Sequence, residues 1–338
     1  MAEFKEGIII LDGLATIRYI DKTAKELLKL NDDCKLKSIK DLIDDKILLD
    51  IIEKSFTSKN ILNKEFSPSN DKSKVISIKV VPSQISENSE YLVLLTDLTE
   101  LRRLEGIQKE FVANVSHELR TPLTSIKMAA ESLQLGAIAD ERMKNKFLSN
   151  IQREADRLTR LVNELLVIAK LDSKITLHVS KFSPFELLND VIISMTQHAD
   201  LNDINLIPDY PENLPFLEAD KDRIKQVLIN LVDNAIKCNR KNGKVTIFAC
   251  KENENLIIKI IDTGIGIHEI DIDKIFDRFF RVDKARSRVT GGTGLGLSIV
   301  KDLIVAHSGT IEVSSEVDLG TTFKITLPIK TPLVAKKA

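Results

Sequence analysis

The sequence has no tryptophan, three tyrosines, five histidines and three cysteines in 338 residues. Cys34, Cys238 and Cys250 stand far apart and form neither a metal-ligand spacing nor a disulfide framework, so reduced thiols are expected. Net charge is almost absent: 49 Lys and Arg face 50 Asp and Glu. Such a balance argues against a general nucleic-acid coat. No run of about 18 apolar residues occurs, so no segment reads as a membrane span. Ile8–Leu11, behind Glu3, Lys5 and Glu6, is too short for a signal-peptide core. A cytoplasmic protein is expected, or the cytosolic portion of a membrane-bound sensor. What remains is ample for packed cores: 43% of residues are hydrophobic, and the length suits two or three domains.

The pattern divides into three stretches, 1–98, 99–176 and 177–338. In the first, Ile8–Leu11 and Thr16–Ile20 flank an Asp12-Gly13 turn pair, a hairpin signal. Asp21 is placed to cap a helix through Leu30. Short helical patterns follow at Ile39–Ile43 and Ile47–Lys54, then strand-like runs Ile61–Phe66, Val75–Val81 and Tyr91–Thr96. This order predicts a small α+β domain. From about 97 to 172, Gly and Pro nearly vanish. Leu101, Leu104, Phe111, Val115, Leu119, Pro122 and Ile126 lie within roughly 40° of one line at ~100° per residue. Pro122 should kink or loosen that helix. After a break at Leu135–Ala139, Phe147, Ile151, Leu158, Leu161, Leu165 and Ile168 form a second stripe, interrupted by Glu154. Two such helices make an antiparallel hairpin that is best buried by a second copy, as a dimeric four-helix bundle. The third stretch reads as mixed α/β. Helices are expected at Pro184–Ala199, Asp220–Lys237 and Leu295–Ser308. Strands are expected at Lys244–Cys250, Asn255–Ile261, Gly309–Ser315 and Thr321–Pro328, followed by a tail from Lys330.

Four groups of residues bear chemistry. His117 lies about 200° round its helix from Val115, opposite the stripe, with Thr121 one turn on and Glu118 adjacent. An exposed neutral imidazole is a competent nucleophile; the plainer reading is a solvated helix face. Asp262-Thr263-Gly264-Ile265-Gly266 follows a strand, and Gly291-Gly292-Thr293-Gly294-Leu295-Gly296 runs into an apolar helix. Such glycines let backbone approach phosphate at a helix N-terminus, although neither stretch is a Walker loop or a dinucleotide fingerprint and each alone also reads as a flexible loop. Asn230 and Asn234, four apart beside the buried side of their helix, offer amide oxygens that can ligate Mg²⁺; two surface polar residues is the alternative. Ile275–Arg281 carries two aromatic pairs, of which Phe276 and Phe279 are expected in the core. Arg281, Arg286 and Arg288 could neutralise phosphate charge or form a solvated loop.

Together these segments resemble the motif set of the sensor histidine kinases. FVANVSHELRTPLTS (Phe111–Ser125) resembles the H box, Gln226–Ala235 the N box, DTGIGI (Asp262–Ile267) the G1 box, Ile275–Arg281 the F box and GTGLG (Gly292–Gly296) the G2 box, in the family's order. The likeness covers about residues 100–330 and is similar to phosphate-regulon and cell-wall sensor kinases. It implies autophosphorylation of His117 from ATP, transfer to an aspartate of a response regulator receiver domain, and regulator phosphatase activity. It further implies Glu118 as base, Thr121 as the group positioning water for dephosphorylation, Asn230 on Mg²⁺, and Asn234 on Mg²⁺ or phosphates. Asp262 would accept from the adenine amine. Gly264, Gly266, Gly292, Gly294 and Gly296 would let the lid pass over the nucleotide, while Lys237 and Arg281 would touch phosphate. The ATP module would be the gyrase-like α/β sandwich, the hairpin the homodimer interface, and Leu171–Leu177 a hinge.

Two departures are visible. Cys238 stands where relatives place an aromatic, which touches ATP affinity. His307-Ser308-Gly309 replaces the usual His-Gly-Gly, a change of turn. The opening GIIILDGLATIRYIDKTAKELLKL and the exit LLTDLTELRRLE resemble a PAS sensor domain. Residues 1–98 hold no histidine for a haem iron, and Cys34 lacks a flavin-adduct context, so a small apolar ligand, a partner protein or dimerisation remain for that domain. Two other readings of the whole chain stay open. A serine kinase on the same ATP fold would need no His117, and a non-enzymatic or phosphatase-dominant scaffold would bind ATP without autokinase activity.

Overall fold

The structure is a computed structural model that describes residues 6–30, 34–43, 45–69, 71–83, 90–172, 177–282 and 292–330. It forms two compact units, Met1–Val112 and Ala113–Ala338.

The first unit is built on an antiparallel sheet of five strands: β1 (Glu6–Asp12), β2 (Ile17–Ile20), β3 (Leu62–Phe66), β4 (Ile76–Ser83) and β5 (Glu90–Asp97). Their order is β2-β1-β5-β4-β3. Alternate residues of β1, β4 and β5 (Ile9 and Leu11; Ile76, Ile78 and Val80; Val93 and Leu95) are buried, the period-two pattern of a half-covered sheet. Helices α1 (Lys22–Leu28), α2 (Ile39–Leu42) and α3 (Lys46–Ser58) supply Ala24, Leu27, Ile39, Leu48, Ile51 and Ile52 to the same core. Asp21, Ser38 and Asp45 cap these helices by accepting from Ala24, Lys40 and Ile47/Leu48 backbone N–H groups. The β1–β2 turn is wider than an Asp-Gly pair implies. Asp12 Oδ1 accepts from Leu14 N and Thr16 N, and the left-handed residue is Ala15, at φ 64°.

Helix α4 runs Thr99–Gln134 and α5 runs Glu141–Asp172, joined by a 3₁₀ turn at Ala137–Ala139. Helix α4 continues unbroken across Pro122, which is buried. Proline removes only one donor from a 36-residue helix, so neighbouring turns hold the segment together. Leu161 and Ile168 of α5 are buried, whereas Leu123, Met128, Leu148 and Val162 are about half exposed or more.

The rest of the second unit is a two-layer α/β sandwich. Strands β7 (Asn205–Asp209), β9 (Lys244–Glu252), β10 (Asn255–Asp262), β11 (Thr310–Glu316) and β12 (Gly320–Pro328) lie in the order β11-β12-β10-β9-β7. All neighbours are antiparallel except β7 and β9. A separate pair joins β6 (Ser180–Phe182) to β8 (Leu217–Ala219). One face of the sheet offers Val245, Ile247, Leu256, Ile258, Ile260, Phe323 and Ile325. Against it lies α7 (Lys221–Lys237), flanked by α6 (Pro184–Asp200) and α9 (Gly296–Ala306). The short α8 spans Glu269–Ile272. Helix α7 buries Ile224, Val227, Leu228, Leu231, Val232, Ala235 and Ile236, a stripe of helical period. His307, at the end of α9, is fully buried: Nδ1 meets the Leu303 carbonyl at 2.7 Å and Nε2 accepts from Asp220 N at 3.1 Å. The chain thereby ties α9 to the N-cap of α7. Among the described residues no helix is long and apolar enough to cross a membrane. The three cysteines form no disulfide: Cys34 is buried, Cys250 half-buried and Cys238 exposed.

Candidate functional site

The loop after β10 meets the C-terminus of α7, and the start of α9 meets the middle of α7. Asp262 closes β10 and is 6% exposed. Its Oδ1 accepts from Gly264 N at 2.8 Å and Thr321 N at 3.2 Å. Burial pushes its carboxyl above the usual aspartate range, against the pull of those two N–H groups. The loop after it packs on the C-terminus of α7, where the Cys238 carbonyl accepts from Ile265 N at 3.1 Å. Gly266, at φ +70°, passes so close to the Glu316 carbonyl that a Cβ would collide with it. Only glycine fits this left-handed, crowded position.

Asn230 and Asn234 are half-buried on the face of α7 beside its core stripe. Asn230 Nδ2 donates to the Gly296 carbonyl at 3.4 Å, so the asparagine-bearing helix and the second glycine segment are in contact. That bond uses the donor end of the amide, and its oxygen is a hard ligand. One amide oxygen with nucleotide phosphates and water suits Mg²⁺. Among the described residues no group of three or more His, Cys, Asp or Glu could hold a metal ion. The Asn230 amide oxygen, left over from that bond, suits a cation that arrives with a phosphate-bearing ligand. Helix α9 starts at Gly296 without a side-chain cap, and the N–H groups of a helix's first turn favour an anion.

The aromatic segment is pinned to the glycine loop through backbone. Phe279 N donates to the Gly294 carbonyl at 2.8 Å. A Cβ on Gly294 (φ +77°) would lie 2.8 Å from Phe279 Cα. Phe279 itself sits at φ 66°. Phe276 and Phe279 are half-buried rather than core residues. The reason is local: the segment turns rather than forming a helix, so Ile275 takes the buried position. Phe276 meets Phe323 edge-on at 6.5 Å, with the Lys301 ammonium over its ring. Arg281 Nη2 donates to the Gly292 carbonyl. Arg286, Arg288 and Gly291 lie outside the described residues, as do most of the expected hinge and the C-terminal tail.

On the hairpin, His117 and Thr121 are exposed. They line a groove of about 540 Å³ with Arg120, Thr124, Met128, Phe147 and Asn150. Thr121 Oγ1 donates to the His117 carbonyl at 3.2 Å. Glu118 is paired with arginines: Arg157 Nη2 donates to Oε2 at 2.9 Å, and Arg281 Nη1 lies 3.7 Å from Oε1. Lys237 pairs with Asp233, which also faces His198 Nε2 at 3.2 Å. Thus Lys237 is engaged by its own helix rather than standing alone.

Several contributors carry no motif signal. Arg157 and Glu164 look like ordinary polar positions of an amphipathic helix, yet Glu164 accepts from Thr293 Oγ1 in the glycine loop. Burial pushes the Glu164 carboxyl up, offset by Thr293, Lys237 and Arg160. Gly320 and Thr321 read as a plain strand turn but close over Asp262.

The family model for the His Kinase A (phospho-acceptor) domain matches residues 107–174. The model for the histidine kinase-, DNA gyrase B- and HSP90-like ATPase matches 219–331. The sensor protein kinase WalK of Staphylococcus aureus is 36% identical over 347 residues, 97% of this chain and 79% of that sequence. The chain belongs to the sensor histidine kinases. Longer WalK sequences match at the same identity, and the kinase spans 54% of their length. The histidine kinase ThkA, solved in complex with the response regulator protein TrrA, superposes with a TM-score of 0.55 at 25% identity over 95% of each chain. The Acinetobacter baumannii histidine kinase AdeS gives 0.51 at 28% identity, over 63% of the kinase and 98% of AdeS.

Proposed function

We propose that the chain phosphorylates His117 from ATP and passes the phosphoryl group to an aspartate of a response regulator receiver domain. The observation that carries this reading is the joint placement, in one compact unit, of an exposed His117, its neighbour Glu118 and Arg281 from the glycine-loop side. One imidazole nitrogen attacks the γ-phosphorus. The bond to the β–γ bridging oxygen breaks, and its electron pair leaves on ADP. The proton on the other ring nitrogen passes to Glu118. Asp262 accepts from the adenine amine, which selects adenine. Asn234, Lys237 and Arg281 face the phosphates, and Gly264, Gly266, Gly292, Gly294 and Gly296 keep the backbone close to the nucleotide. Asn230 would hold Mg²⁺, which when bound offsets charge on the transferred phosphoryl. Thr121 positions water for dephosphorylating the regulator. Residues 99–176 act as the homodimerising hairpin of a four-helix bundle, 177–338 as the catalytic module and 1–98 as a PAS-like sensor. Support for the last comes from the hairpin-then-helix opening and a closing strand that leads into α4.

Label from [γ-³²P]ATP is expected to be acid-labile and base-stable, and to move to a receiver domain. Acid-stable phosphoserine would favour a serine kinase instead.

A further inference from the structure

Glu118 divides its carboxylate between two arginines. Oε2 accepts from Arg157 on α5 at 2.9 Å, and Oε1 faces Arg281 at 3.7 Å. The three side chains are only 12% (Arg157), 22% (Glu118) and 12% (Arg281) exposed, so these contacts are partly shielded from solvent. A glutamate on a helix surface has several rotatable bonds, and tying one oxygen removes much of that freedom. Guanidinium is well suited to hold it, being planar, permanently charged and directional in its bonds to carboxylate.

We propose that Arg157 is a positioning residue for phosphorylation of His117, holding Oε2 of Glu118 so that Oε1 is the oxygen that takes the imidazole proton. This rests on the functional reading above. Arg281 covers the same Oε1 and also reaches Gly292 at the start of the glycine loop. When nucleotide phosphates draw Arg281 away, Oε1 is uncovered. Arg157, on the opposite oxygen, keeps the carboxylate in place. Base release is thereby coupled to nucleotide engagement. The proton balance is simple: Oε1 gains the proton that the imidazole loses as its other nitrogen bonds to phosphorus.

The test uses the full chain as wild type, Arg157→Ala and Arg157→Lys, with initial rates of base-stable label measured across ATP concentrations. ATP binding and thermal midpoint are measured in parallel. Arg157→Ala is expected to lower kcat by about tenfold or more with KM for ATP within about twofold. Arg157→Lys should recover part of the rate, while ATP binding and midpoint hold. A wild-type rate in Arg157→Ala would overturn the proposal. So would a rate loss that tracks loss of ATP binding or of thermal stability in both variants. An unlabelled wild type would overturn the functional reading itself, and the positioning role with it.

Discussion

At the end of β10 the Asp262 carboxylate commits one oxygen to Gly264 N and Thr321 N. An amide oxygen could replace it in both bonds. Asp262→Asn is therefore expected to hold or raise the thermal midpoint at neutral pH, because it removes a buried charge. It should weaken ATP binding by about 10- to 100-fold, the span of a lost charge-assisted hydrogen bond, measured by calorimetric titration. Because burial pushes this carboxyl up, ATP affinity in the wild type should begin to fall, as pH is lowered, before an ordinary aspartate would protonate. His307 gives a second pH effect. Burial pushes its imidazole down, although the Leu303 carbonyl and the Asp220 charge oppose this. Above the ordinary imidazole range, near pH 6.5, both folded and unfolded chains are neutral here and the two hydrogen bonds are intact. As pH falls through that range toward the depressed folded value, the unfolded chain binds a proton first and stability drops. Urea midpoints at about pH 7.5 and 5.5 should fall less in His307→Gln than in the wild type.

Helix α9 ends at Ala306, and the chain turns through Ser308 at φ 57°. Serine is strained in a left-handed conformation that glycine adopts freely. Ser308→Gly should stabilise the chain by about 1 kcal/mol, read as a higher denaturant midpoint with unchanged slope. Elements with strong periodicity were legible in the sequence. Helices α4 to α7 and strands β9 to β12 follow stripes and alternations long enough to dominate local preference. Strands β6, β7 and β8 were not. Strand β7 is five residues at a sheet edge, contains Pro208, and has no apolar alternation; its existence depends on pairing with β9. In the site, His117, Asn230 and Asp262 are readable because each stands in a motif. Arg157, Glu164 and Thr321 are not, since their partners lie on other elements and only folding brings them together. The half-buried state of Phe276 and Phe279 was also hidden, because it depends on a tight turn at positive φ rather than on hydrophobicity.

For the molecule as a whole, the hairpin leaves Leu123 at 62% exposure. Apolar side chains so open on paired helices are expected to be covered by a second copy. Light scattering should give twice the chain mass, and Leu123→Glu should shift it toward the single-chain mass. Within such a dimer, the exposed imidazole has to serve two partners in turn, the nucleotide-bearing module and then a receiver domain. All of this requires that His117 be the phosphoryl acceptor. Incubating the wild type and His117→Gln with [γ-³²P]ATP and Mg²⁺ tests it most directly. Base-stable label is expected on the wild type and none on His117→Gln, with ATP binding equal in both. Label persisting at the wild-type level in His117→Gln would contradict it.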